Sequence, residues 1–191
     1  MVPFTAIPSA PPAHVISISD LSAQAETIPH VPFYSQFIDI SSLAWRKKSC
    51  GMASLAMIIN FYDPGIVSAQ KLLEKGIAAG AYMNGVGWTH QGIVSLADRY
   101  GLSGDTYDLS NLSKNDAFAQ LEDFLVDGPV IASVHYKFNP KSPIPHLVVV
   151  NGIDGDNVSL NDPAAKSGGE KISIPDFIAG WKKRFIVIRP S

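Results

Sequence analysis

The sequence predicts an α+β domain on three observations. Helix-forming segments dominate residues 49–126, strand-forming segments dominate residues 129–188, and no regular β-α-β alternation connects them. A helical N-terminal half should therefore pack on an antiparallel sheet supplied by the C-terminal half. No internal repeat is visible, and 191 residues suffice for one domain with a sizeable core.

Val31-Pro32-Phe33-Tyr34 is short, aromatic and β-branched, which predicts a strand, followed by a polar loop from Gln36 to Lys48. From Ser49 the pattern turns helical. Met52, Leu55, Ala56 and Ile59 share one face, and Ala53, Met57 and Ile58 make the rest apolar too, so this helix should be buried nearly all round until Asp63-Pro64-Gly65 stops it. A second helix spans Ser68 to Lys75 and is expected to close at Gly76. Tyr82 to Gly87 should be a glycine-bearing loop. Thr89 can cap a helix carrying Ile93, Leu96, Ala97 and Tyr100, with Gly101 past its end. Ser113 caps Lys114 to Val126, with Asp116 in the reciprocal capping position and Gly128 beyond. Strands are predicted at Pro129–Tyr136, Leu147–Asn151, Val158–Leu160, Lys171–Ile174 and Arg184–Ile188, and a short helix at Pro175–Trp181 begins with its proline in the first turn.

Residues 1–30 form a separate Pro-rich extension, and residues 31–191 the folded domain. Six of the 14 prolines precede Phe33 and no Lys or Arg precedes Arg46, which predicts a loosely docked arm with a short strand at His14 to Ser19. Pro3, Pro8, Pro11 and Pro12 interrupt the one stretch that could serve as a secretory signal. The cytoplasm is the default expectation, and the exterior follows if a longer N-terminus precedes Met1. No apolar stretch approaches the ~20 residues of a membrane span. A net charge of -2 offers no electrostatic footprint for nucleic acid.

Cys50 is the only cysteine, so it can form neither an internal disulfide nor a multi-cysteine metal site. No metal and no cofactor is expected. The remaining roles are buried filler and reactive nucleophile, and two residues favour the second. His146 lies in the strand-like run Pro145-His146-Leu147-Val148-Val149-Val150, and Asp162 follows in Leu160-Asn161-Asp162-Pro163. A thiol attacks as thiolate, and the start of a helix favours an anion through unpaired N–H groups and the helix dipole. A neighbouring imidazolium favours it further. Gly51 is expected to let a substrate backbone approach the sulfur. Attack on a carbonyl also needs oxyanion donors, for which the Gln36 side-chain amide and the Cys50 backbone N–H are the candidates. His135 is the rival base, and His90 is expected to order the Trp88 loop or its helix start.

Geometry constrains the His146–Asp162 pair. The intervening Asn151-Gly152-Ile153-Asp154-Gly155-Asp156-Asn157 predicts a hairpin, in which a plain two-residue Asp154-Gly155 loop sends the two side chains to opposite faces. A loop of odd length or a bulge near Gly152 is therefore required for them to meet.

Taken in order, Val31-Pro32-Phe33-Tyr34-Ser35-Gln36, Ser49-Cys50-Gly51-Met52-Ala53-Ser54-Leu55-Ala56-Met57, Gly87-Trp88-Thr89-His90, Tyr100-Gly101-Leu102, Gly128-Pro129-Val130-Ile131, His146-Leu147-Val148-Val149-Val150 and Asn161-Asp162-Pro163 carry a resemblance. This succession resembles the papain-like cysteine peptidases of the bacteriocin-processing, double-glycine type, particularly their stand-alone bacterial relatives. The resemblance implies a papain-like fold, with Cys50 as nucleophile, His146 as general base and then acid, Asp162 orienting the imidazole, and Gln36 in the oxyanion hole. A peptide or protein substrate follows, cleaved at a peptide or isopeptide bond. An acyltransferase using the same triad and a non-catalytic peptide-binding module are the alternatives. Phe37 to Ser49 is a longer insertion than compact members of that family carry, and no transporter region is present in the sequence.

Overall fold

The computed structural model describes residues 28–191, so the expected strand at His14 to Ser19 lies outside the described residues. Five helices and eight strands follow in order: α1 (Cys50–Tyr62), α2 (Ala69–Ala78), β1 (Tyr82–Met83), β2 (Gly87–Trp88), α3 (His90–Ala97), β3 (Leu102–Asp108), α4 (Lys114–Leu125), β4 (Val130–His135), β5 (Pro145–Asp154), β6 (Asn157–Asn161), β7 (Glu170–Ser173), α5 (Ile174–Gly180) and β8 (Trp181–Pro190). Single 3₁₀ turns precede α1, follow α3 and follow β4. β3-β8-β4-β5-β6-β7 form one antiparallel sheet, while β1 and β2 make a separate small hairpin.

The apolar patterning separates two cores. Met52, Leu55 and Ile59 of α1 pack with Leu72, Ile93 and Leu96 against Ile131, Leu147, Val149 and Ile186 on one face of the sheet. Phe118 and Leu121 of α4 and Phe177 of α5 pack against Val148, Val150, Leu160 and Phe185 on the other. Met52, Leu55, Met57, Ile58 and Ile59 are all essentially inaccessible, and burying each contributes about 1.5–3 kcal/mol. This anchors the first turn of α1, where the thiol lies. Among the described residues no helix is long and apolar enough to cross a membrane.

The caps follow from side-chain chemistry: Ser68, Thr89, Ser113 and Ser173 each accept a hydrogen bond from the backbone N–H three residues on. Gly101 ends the turn after α3 in the left-handed region, φ 71°.

Three expectations need correction, and one strand was not expected. Val31–Tyr34 is not a strand: it has no ladder partner among the described residues, and the Asn161 side-chain amide donates instead to the Val31 carbonyl. Gly76 lies inside α2, because a Cβ there would come within 2.8 Å of both Met52 Sδ and the Trp88 ring. Tyr82–Trp88 closes as the β1–β2 hairpin. Residues 102–108, too polar to show alternation, form the edge strand β3 in full register with β8.

Candidate active site

Cys50 is the first residue of α1, and two bonds join that turn to β5. Ser54 Oγ, one turn further along α1, donates to the Leu147 carbonyl at 3.4 Å, while the Leu147 backbone N–H is directed at the Cys50 thiol. His146 precedes Leu147, so fixing the strand end also fixes the imidazole. The ring is buried, at 4% exposure, and Tyr136 packs edge-on against it with centroids 5.4 Å apart. His146 Nε2 lies 2.5 Å from Asp162 Oδ1, and the imidazole is near enough to the Cys50 thiol to shift its ionisation.

The hairpin solves the pairing problem in the way the parity argument requires. Its turn has only two residues, Gly155 and Asp156, but Val150 pairs with Leu160 and Gly152 with Ser159, leaving Asn151 as a one-residue bulge. The bulge restores His146 and Asp162 to the same face. Asp162 also accepts from the Ala164 backbone N–H at 2.7 Å, so its turn-forming role and its contact with His146 coexist.

Charge reinforces the arrangement. Burial alone pushes the Cys50 thiol up, but the hydrogen bond and charge of His146, together with the Leu147 and Gly51 N–H groups, outweigh it and leave its pKa lowered. Burial likewise disfavours a charged His146, yet the Asp162 and Cys50 partners raise its pKa to about 10. Sulfur, imidazole and carboxylate thus favour a thiolate–imidazolium pair held by an anion. Among the described residues no group of three His, Cys, Asp or Glu side chains could hold a metal ion.

Gln36 is buried and tied on two sides. Its backbone N–H donates to the Pro163 carbonyl at 2.8 Å, and Nε2 donates to the Arg46 carbonyl at 2.9 Å in the turn that leads into α1. Gly51 has a different function from the expected one: a Cβ there would lie 2.9 Å from the Trp88 ring, so its missing side chain admits Trp88, not a substrate backbone. Trp88 is itself pinned, with Nε1 donating to the Lys48 carbonyl at 2.5 Å. His135 Nδ1 bonds the Ser142 carbonyl at 3.0 Å. His90, at the start of α3, bonds Ser133 Oγ at 2.8 Å and lines the cleft.

The cleft has a volume of about 690 Å³, and Cys50, Trp88, Ser133, His146, Lys182 and Arg184 are among the residues that line it. Sequence reasoning missed Ser54 and the Leu147 N–H. The first carries a signal, a hydroxyl four residues from Cys50 on an otherwise apolar helix; the second, a backbone group, carries none.

A thiol at the start of a buried helix, facing an imidazole on an antiparallel sheet, defines a papain-like cysteine peptidase-like protein. The chain belongs to the Peptidase_C39-like family, whose model matches residues 28–187. Three solved structures share the fold. A double-glycine-motif protease from an AMS/PCAT transporter, solved with its leader peptide, is 22% identical with a TM-score of 0.60, covering 87% of this chain and 96% of its own. The peptidase domain of Streptococcus ComA, a bifunctional ABC transporter of a quorum-sensing pathway, is 24% identical with a TM-score of 0.61, covering 85% and 100%. A C39-like peptidase from Bacillus anthracis is 20% identical with a TM-score of 0.57, covering 83% and 94%. No curated protein matches the chain.

Proposed function

We propose that the protein hydrolyses a peptide or isopeptide bond with Cys50 as nucleophile, His146 as general base and acid, and Asp162 as the group that orients and charges the imidazole. The observation that carries this reading is that Cys50 and His146 line one cleft while Asp162 bonds the imidazole from behind it. The Cys50 thiolate attacks the carbonyl carbon, forming a C–S bond and an oxyanion. The oxyanion collapses, the C–N bond breaks, and protonated His146 gives its proton to the departing amine. Water, deprotonated by His146, then attacks the thioester; the C–S bond breaks, releasing the acid and restoring the thiolate.

The Cys50 backbone N–H is one oxyanion donor, and Gln36 is the proposed second. Its Nε2 carries two hydrogens, of which Arg46 takes one, and its anchors lie on the segments that carry Cys50 and Asp162. The fold neighbour solved with a leader peptide supports a peptide substrate. Turnover of a peptide mixture, read by mass spectrometry, tests the assignment: Cys50→Ala and His146→Ala should abolish cleavage, and His135→Ala should retain it. Activity surviving in either of the first two reverses the roles. Added amine separates hydrolysis from acyl transfer, since only transfer yields the amide product.

A further inference from the structure

The sheet carries a row of aligned side chains leading away from Cys50. Leu147 of β5 pairs with Ser133 of β4, Ser133 pairs with Arg184 of β8, and Arg184 pairs with Asp108 of β3, so the four residues lie side by side on the face covered by α1. All four line the cleft. The Ser133 hydroxyl is held by His90, and the Arg184 Nε lies 2.8 Å from Asp108, leaving the terminal guanidinium nitrogens without a partner among the described residues.

A second feature adds another cation. Between Ser133↔Arg184 and Val134↔Trp181, β8 carries two extra residues, Lys182 and Lys183. Lys183 adopts φ 56° and reaches away to the Ser110 and Leu112 carbonyls, whereas Lys182 stays in the cleft wall. No carboxylate answers the Lys182 ammonium among the described residues, and burial together with Arg184 lowers its pKa. Thr89 and His90, at the positive end of the α3 dipole, line the same cleft. The chain carries a net charge of -2, so this positive wall is local and not the face of a basic protein.

We propose that Lys182, Arg184 and the His90–Ser133 pair form a specificity pocket for a carboxylate of the peptide substrate. Two strand spacings, roughly 10 Å, separate Leu147 from Arg184, and an extended chain covers that in about three residues. The carboxylate is therefore an acidic side chain about three residues from the scissile bond, or a peptide C-terminus at that reach. This inference deepens the proposed function by naming a substrate class, and it rests on that reading for the direction from which substrate approaches Cys50.

The test is alkylation of Cys50, the only thiol, by peptidyl chloromethyl ketones carrying Glu, Gln or Lys at the second, third or fourth residue from the reactive group. The expected result is labelling by the Glu probe faster than by Gln by about tenfold, best at the third residue, with Lys slowest. Lys182→Arg should keep this order and Lys182→Glu should invert it. Protection of Cys50 by free-acid but not amidated peptides lacking Asp and Glu assigns the carboxylate to a C-terminus instead of a side chain. Equal rates for all probes, or an order unchanged in Lys182→Glu, overturns the pocket. The ratio of Glu to Lys rates, measured also in His146→Ala, depends on the pocket and not on the imidazole. A protein whose thiol is unperturbed but whose probe order holds would refute the catalytic reading and leave the pocket standing.

Discussion

Replacing His146 by alanine isolates the interaction on which the proposed chemistry depends, and the solitary cysteine makes the outcome readable. In the wild type, burial acts to raise the thiol pKa and His146 more than reverses it; without the imidazole only the Leu147 and Gly51 N–H groups oppose burial. The sign of the effect is therefore fixed: the variant thiol should titrate higher than the wild-type one. An ordinary thiol of pKa about 8.5 is only about 0.3% thiolate at pH 6. A lowered pKa raises the thiolate fraction at that pH, and the lower reactivity of a weakly basic thiolate takes back only part of the gain, so about tenfold is the change to be resolved. Iodoacetamide labelling followed by mass spectrometry from pH 4 to 10 measures it. Wild type should label well below the ordinary thiol range, and His146→Ala should lose labelling at pH 6 by at least that tenfold. Identical profiles, each centred on an ordinary thiol, would show that sulfur and imidazole are not coupled.

Other perturbations test separate parts of the structure. Asp162→Asn keeps an oxygen for the Ala164 N–H but removes the charge that raises His146, so turnover should fall while the melting temperature changes little; a large loss of both would make Asp162 a structural residue. His146 is raised from 6.5 to about 10, so its contribution to stability is complete below pH 6.5 and is lost as pH rises through about 10. Denaturant titrations across that range should show a decline that His146→Ala lacks. Gln36→Ala should reduce turnover by ~10²- to 10³-fold while low-pH labelling of Cys50 survives, and loss of that labelling would assign Gln36 to structure alone. Gly51→Ala drives a Cβ to 2.9 Å from a ring pinned to Lys48, an overpacking that should cost about 1–3 kcal/mol in thermal or denaturant unfolding.

The parts of the fold written in local chemistry were legible from sequence. The Ser113–Asp116 cap, the Gly101 stop and the Pro175 helix start each depend on residues within one turn, and all three form where expected. Helix α1 was legible because its apolar residues surround it completely. What failed depends on distant partners. Gly76 resembles a helix terminator until Trp88, twelve positions on, is seen to occupy the place of its side chain. Val31–Tyr34 has strand composition, but its carbonyl partner is the Asn161 side chain and not a neighbouring strand. β3 has one buried residue, Leu102, and its pairing is decided by β8 instead of by its own alternation.

The site itself depends on two irregularities in an otherwise regular sheet. In β5 and β6, one surplus residue at Asn151 changes which face Asp162 occupies, and without it a two-residue turn would leave His146 with no carboxylate partner. In β8, the surplus Lys182–Lys183 lies opposite the Ser133–Val134 step of β4, the strand between the imidazole and the cationic wall. A bulge costs ladder hydrogen bonds and is retained where it redirects side chains. Both occur on strands that flank or continue the cleft, and each changes the register of the polar side chains beyond it. The three helices over that face supply apolar burial and the start of α1. The sheet supplies the partners that the proposed chemistry of Cys50 requires, so removing either irregularity should disturb the site well before it disturbs the core.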